Sequence, residues 1–198
     1  MSELSFKLKG LTPLVMNNGE KADPDSEYAI KMAELKASGA KKSPEGRMLI
    51  NRCDWEGGLY FHDKMGPVVP DVNILKMVVN GGAPQKMGKE FCAYISVAEP
   101  FTKLEYKGPR DLDGMWAANM YDRRLVSSNG KPGGPKVIRF RPLFKDWSLS
   151  FNLFADDEVD PKSIVDAMRH AGKRVGLCER SMFRWGRFET IEAKVITK

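Results

Sequence analysis

Residues 4–10, "LSFKLKG", alternate strictly: Leu4, Phe6 and Leu8 fall on one side, Ser5, Lys7 and Lys9 on the other. Period-two alternation predicts a strand with one buried face. "LTPLVMNNGEKADP" interrupts the pattern with Pro13, Asn17, Asn18 and Gly19 and reads as a loop. A helix should follow from Asp25 or Ser26, either of which can cap the first free amides. Tyr28, Met32 and Leu35 keep helical spacing, and Gly39 closes the run. "KKSPEGRMLINRCDWEGG" holds a second short helix stopped at Gly57 and Gly58, and "LYFHDKMGPVVP" forms a hairpin around residues 63–66. Asp71 then caps a helix that ends near Gly81. Between 82 and 114 the pattern weakens into strand-like runs broken by Pro100.

The clearest periodicity comes late. "KVIRFRPLF" sets Ile138 and Phe140 against Arg139 and Arg141, and "WSLSFNLF" sets Trp147, Leu149, Phe151 and Leu153 against Ser148, Ser150 and Asn152. Asp160 caps a helix with Pro161 at its favoured first position. Ile164, Met168 and Ala171 line its inner face, Gly172 lies near its end, and "RFETIEAKVI" returns as a strand. "SSNGKPGGPK", residues 127–136, is too rich in glycine and proline for an element. It is a plain flexible tip, or a basic thumb that orders on a nucleic acid or a neighbouring subunit. With the insertions removed, the order is β-α-β-β-α-β. The expected fold is therefore α+β: a ferredoxin-like (split βαβ) core with an antiparallel sheet and helices on one face. It forms a single domain over 1–198 with a large insertion at about 57–136, and its other sheet face is open to a ligand.

Composition narrows the function. The 198 residues are 42% hydrophobic and 29% charged, enough for a packed core and against wholesale disorder. A formal charge of +6 favours a polyanionic partner. Cys53, Cys92 and Cys178 are scattered and form no C-x-x-C pair, which argues against structural zinc and for a reducing, cytoplasmic setting. No apolar run approaches the roughly 20 residues of a membrane-spanning helix. No phosphate-binding P-loop, nucleophile elbow or zinc-protease motif is present, so no cofactor is expected.

The stretch "GLCERSMFRWGRFETIE", residues 176–192, joins the last helix to the last strand. Small residues there let backbone amides approach phosphate oxygens. Arg180, Arg184 and Arg187 add charge, and Trp185 can stack on a base. Lys173 and Arg174 precede the loop, and Arg139 and Arg141 extend the basic surface from their strand. The plainer alternative is a helix-to-strand connection with solvated arginines and with Phe183, Trp185 and Phe188 packed over the core edge. For Arg139 and Arg141 it is a solvent-facing strand side with cationic edge protection.

"VGLCERSMFRWGRFETIE" resembles the glycine-rich loop near the C-terminus of the RAMP superfamily, ferredoxin-like proteins that form the backbones of CRISPR effector complexes. Gly176, Leu177, Arg180, Gly186, Arg187 and Phe188 fit, while Cys178 and Trp185 stand where the family carries glycine. "GPVVPDVNILKMVV" is similar to the family's entry into a helix at Gly66, Pro70, Leu75 and Lys76, with Asp71, Val72 and Asn73 replacing small residues. "LKGLTPLVMNNG" looks like phage-encoded proteins of the same plan. The resemblance implies binding of an RNA or single-stranded DNA backbone, with a homo-oligomer or related subunits as partners. It leaves an RNA endonuclease using His62 or His170, or a phage protein that contacts only protein, as alternatives. "DDEVD", residues 156–160, is read as an acidic helix entrance rather than a metal site.

Overall fold

The computed structural model describes residues 1–127, 133–179 and 185–196. In chain order, β1 (Ser2–Gly10) and β2 (Leu14–Val15) lead to α1 (Glu27–Ala37) and α2 (Pro44–Glu56). Next come β3 (Phe61–His62), β4 (Gly66–Pro70), α3 (Asp71–Gly81) and α4 (Gly88–Tyr94). The weakly patterned middle folds as β5 (Ile95–Val97), β6 (Phe101–Lys103), β7 (Glu105–Tyr106) and α5 (Leu112–Ala117). β8 (Tyr121–Ser127), β9 (Lys136–Phe144), β10 (Trp147–Ala155), α6 (Pro161–His170) and β11 (Phe188–Ile196) complete the chain.

The local signals act as expected where a cap fixes the helix start. The Ser26 hydroxyl accepts the Ala29 N–H, and Asp160 accepts the Lys162 N–H with Pro161 behind it. Each satisfies an amide that has no partner within its helix. The chain forms two compact units: residues 1–14, 61–107 and 144–198, and residues 15–60 and 108–143. The insertion expected at about 57–136 coincides with neither, since 61–107 goes with the first unit and 108–136 with the second.

The first unit carries the ferredoxin-like core. Its main sheet runs β11-β1-β10-β5, and β7 also pairs with β10. The main-sheet pairings are all antiparallel, so β1 and β5 point the same way with β10 between them. That is the split βαβ arrangement, with α3 and α6 as its helices. The core helix of the first half is thus α3, not the earlier α1 suggested by strand-helix order. α3 buries Ile74, Met77 and Val78, packs on α6 and meets β5, whereas α1 buries no residue and lies in the second unit.

Alternation along β1 and β10 becomes a two-faced sheet. Leu4 lies opposite Leu153, Phe6 opposite Phe151 and Leu8 opposite Leu149, and all six are buried. The Phe6 and Phe151 rings stack 5.8 Å apart. On the other side Lys7 faces Ser150 and Lys9 faces Ser148. Toward β11 the register slips, Lys7 pairing with Glu192 and Leu8 with Thr190. Ile191 is therefore an extra, bulged residue, half exposed on the edge strand.

The second unit is built on rings. Trp116 lies 5.4 Å from Trp55, 4.9 Å from Tyr121 and 5.9 Å from Phe140. The indole of Trp55 donates to the Met120 carbonyl at 3.0 Å, which meets its polar requirement inside the cluster. β8 and β9 pair from Tyr121 and Pro142 out to Ser127 and Lys136. The expected loose segment at 127–136 closes at that last pair, and its residues 128–132 lie outside the described residues.

The two faces of β1 predict unequal tolerance. Phe6→Ala should cost about 3–5 kcal/mol, and Lys7→Ala should stay within about 0.5 kcal/mol of wild type, measured by urea unfolding with an unchanged m-value. Comparable losses at the two positions would contradict the assignment of faces.

Candidate nucleic-acid interface

The loop that leads into β11 has a closed neck. The Leu177 N–H donates to the Gly186 carbonyl at 2.9 Å, and the Gly186 N–H donates to the Pro13 carbonyl at 2.8 Å. Gly176 and Gly186 both have left-handed backbone, with φ of 79° and 66°. A Cβ on Gly186 would lie 2.2 Å from the Leu177 carbonyl oxygen, and one on Gly176 would lie 2.6 Å from that of Trp185. These two glycines therefore let two backbone strands approach each other, and that fixes where the loop leaves and rejoins the core.

The chain after β1 supplies the other wall. The Arg187 N–H donates to Thr12 Oγ1 at 2.9 Å, and the Arg187 carbonyl accepts from Leu11 and Thr12. The Trp147 indole donates to the Thr12 carbonyl at 2.9 Å, which pins this segment from the sheet side. Cys178, which stands where the resembled loops have glycine, itself takes a left-handed φ of 60°. Its thiol receives the Asn73 side-chain N–H at 3.8 Å. Burial pushes that thiol up to about 12, outweighing the Asn73 contact, although the residue as a whole is half-buried.

Around this neck the structure gathers part of the basic set. Lys173 and Arg174 are exposed on a π-helical turn, Ala171–Val175, that extends α6. Such turns recur at functional sites. Trp185 and Arg187 are half-buried at the point where the loop returns. The Arg187 Nε is buried with no hydrogen-bond partner among the described residues. Arg180 and Arg184 lie outside the described residues.

Arg139 and Arg141 belong to the second unit. Arg139 is not simply a solvated strand cation: its guanidinium donates to Asp54 Oδ1 at 3.1 Å, while the Phe140 N–H donates to Oδ2 at 3.0 Å. Lys21 Nζ stands 3.6 Å from the same Asp54 oxygen. Sequence reading missed Asp54, because its partners come from β9 and from the turn before α1. Two acids, Asp54 and Glu56, flanking Trp55 in "CDWEGG" were the available signal.

The histidines do not come together with an acid or a second base in any hydrogen bond among the described residues. His62 Nδ1 accepts the Lys64 N–H at 3.3 Å within its turn, and its ring lies 5.9 Å from that of Phe101. His170 is half-buried at the end of α6. Asp160 serves as the α6 cap, and no group of three metal-ligating side chains converges among the described residues. No helix among them is long and apolar enough to cross a membrane.

The fold has a solved counterpart. The chain is similar to a chain in the cryo-EM structure of the type III-B Cmr-beta complex bound to cognate target RNA, with a TM-score of 0.58 and 15% sequence identity. The match covers 98% of this chain and 60% of that one, so this chain spans about 60% of its neighbour's length. No protein-family model matches the chain, and no curated protein matches it in sequence.

The neck yields two checks. Gly186→Ala should destabilise the protein by about 1–3 kcal/mol, read from the urea midpoint, because the added Cβ meets a backbone carbonyl. At pH 8 a thiol-specific reagent should modify exposed Cys92 quickly and leave Cys178 protonated and unreactive until the protein unfolds. Rapid labelling of Cys178 in the native protein would show that its thiol is accessible.

Proposed function

We propose that this protein is a non-catalytic nucleic-acid-binding subunit of RAMP type. It grips an RNA or single-stranded DNA backbone and assembles with copies of itself or with related subunits, in a CRISPR-type complex or in a phage-infected cell. The observation that carries this reading is the closed glycine neck. Lys173 and Arg174 lie just before it and Trp185 and Arg187 at its return, with the Arg187 Nε buried and lacking a hydrogen-bond partner among the described residues. A positively charged edge with a ring beside it suits a flexible strand: cations meet phosphates and a ring accepts any base face.

The shared fold supports the same reading, since its solved counterpart is a chain in a structure of type III-B Cmr-beta bound to cognate target RNA. The excess of six positive charges would draw such a strand from a distance. Trp185 contributes a flat apolar surface, and Lys173 and Arg174 are exposed where they can meet phosphates.

Fluorescence anisotropy of a labelled single-stranded RNA and of the matching DNA, at rising salt, tests the proposal. Log affinity should fall linearly with log salt, with a slope of roughly 0.7 per phosphate neutralised. Lys173→Ala with Arg174→Ala should flatten that slope, while Trp185→Ala should cost about 1–3 kcal/mol with little change in slope. A flat salt response in the wild type, or unchanged binding in the triple variant, would refute it.

A further inference from the structure

The second unit contains a cavity that its own side chains leave unfilled. It measures about 410 Å³ and lies between α1, the turn before it, α2 and β9. The wall on α1 includes Ala29 and Ala33, one turn apart. α1 packs on α2, yet buries none of its 11 residues. Helix pairs normally close by interlocking side chains, and here Tyr28 and Met32 of α1 border the space together with the alanines without filling it, which forfeits part of those contacts. The volume falls within the range of roughly 300–1,000 Å³ usual for small-molecule sites.

Charge converges on the same space. Lys21, Lys36 and Arg139 line it against the single carboxylate of Asp54. Asp54 is 7% exposed and already serves the Phe140 N–H, Arg139 and Lys21. One acid thus faces three cations, and positive charge remains in excess. Burial holds the Lys21 ammonium below the ordinary lysine range; Asp54 pulls it back up, and neighbouring Arg139 and Arg141 push it down again. An incoming anion would relieve that repulsion, whereas a cation or a neutral solute would not.

We infer that this cavity binds a nucleoside monophosphate, with its phosphate between Lys21, Lys36 and Arg139 and its base against Ala29 and Ala33. The apolar lining accounts for the flat uncharged body, and the surplus cations account for the phosphate. The nucleotide is either free or one unit of a strand, since both present the same chemistry. The inference does not rest on strand binding at the loop of the first unit.

Isothermal titration calorimetry of the full chain with adenosine 5′-monophosphate and uridine 5′-monophosphate tests it, with adenosine, uridine and inorganic phosphate as controls. At least one nucleotide should bind about tenfold or more tighter than inorganic phosphate and than its own nucleoside, as expected when a charged contact and an apolar contact are both made. Lys21→Met should remove the advantage over the nucleoside. Ala33→Leu, at an exposed position that tolerates the larger side chain, should fill the space and remove the advantage over phosphate while leaving the melting temperature unchanged. Nucleotides that bind no better than phosphate, or an Ala33→Leu protein that binds them as wild type does, would overturn the inference. Competition with a single-stranded oligonucleotide separates the sources: displacement that Ala33→Leu abolishes identifies a strand unit, and a lack of displacement identifies a free nucleotide. The Lys173→Ala, Arg174→Ala protein should bind the mononucleotide unchanged, so strand binding at the loop and this site can fail separately.

Discussion

Everything in the first unit is hung on β1, whose backbone is hydrogen-bonded on both sides. β10 takes one edge and β11 the other, so the opening strand of the chain sits inside the sheet formed with the closing ones. Its Leu4, Phe6 and Leu8 can reach the helical layer only in one register, since a shift by one residue would turn Lys7 and Lys9 inward. That register also ends β1 at Gly10 opposite Phe188. The residues that follow must then run past the loop entering β11, where Thr12 and Pro13 offer oxygens to Arg187 and Gly186. The pairing of one strand thus sets the position of the candidate loop.

The parts legible in the sequence are those in which burial prints a period. β1 and β10 have one wet and one dry face, and their alternation is unbroken. α6 has a proline at its start, an aspartate cap and an apolar stripe. What the pattern could not tell is which helix covers the sheet. α1 and α3 both carry helical spacing, and only packing distinguishes them, since Ile74, Met77 and Val78 are buried and nothing on α1 is. β5 has three residues, too few to show a period, and becomes a strand by pairing with residues 153–155 of β10. The second unit was illegible for a different reason. The chain leaves the first unit at residue 15, returns at 61 and leaves again from 108 to 143, so no single composition shift marks a boundary.

The candidate loop was legible as chemistry but not as geometry. Its glycines signalled close approach, and Gly176 and Gly186 bring the two arms of the loop together. Cys178 makes the same point from the other side. Its left-handed backbone is the conformation that glycine adopts without strain, here borne by a residue whose thiol is enclosed and hydrogen-bonded by Asn73. A sequence pattern that substitutes cysteine for glycine at such a position therefore keeps the turn and adds a tie to α3. The basic side chains do not share one environment either, because Lys173 and Arg174 are exposed whereas Arg139 is paired with a buried acid.

That pairing has an electrostatic consequence for the second unit. A carboxylate taken out of water must be compensated by close donors, and Asp54 obtains one backbone N–H and two cationic partners. Compensation of the acid is therefore complete, but compensation of the cations is not. Arg139 and Arg141 raise the cost of keeping the Lys21 ammonium charged, and in the cavity wall Asp54 is the one carboxylate set against Lys21, Lys36 and Arg139. A packed interior would resolve the mismatch by replacing a cation with an apolar side chain of similar volume. Here a space walled by Tyr28, Met32 and alanines stays open beside the cations instead, so the charge surplus and the unfilled space occur at the same place. Either feature alone has a purely structural reading; an occupant that brings negative charge and apolar surface at once would answer both.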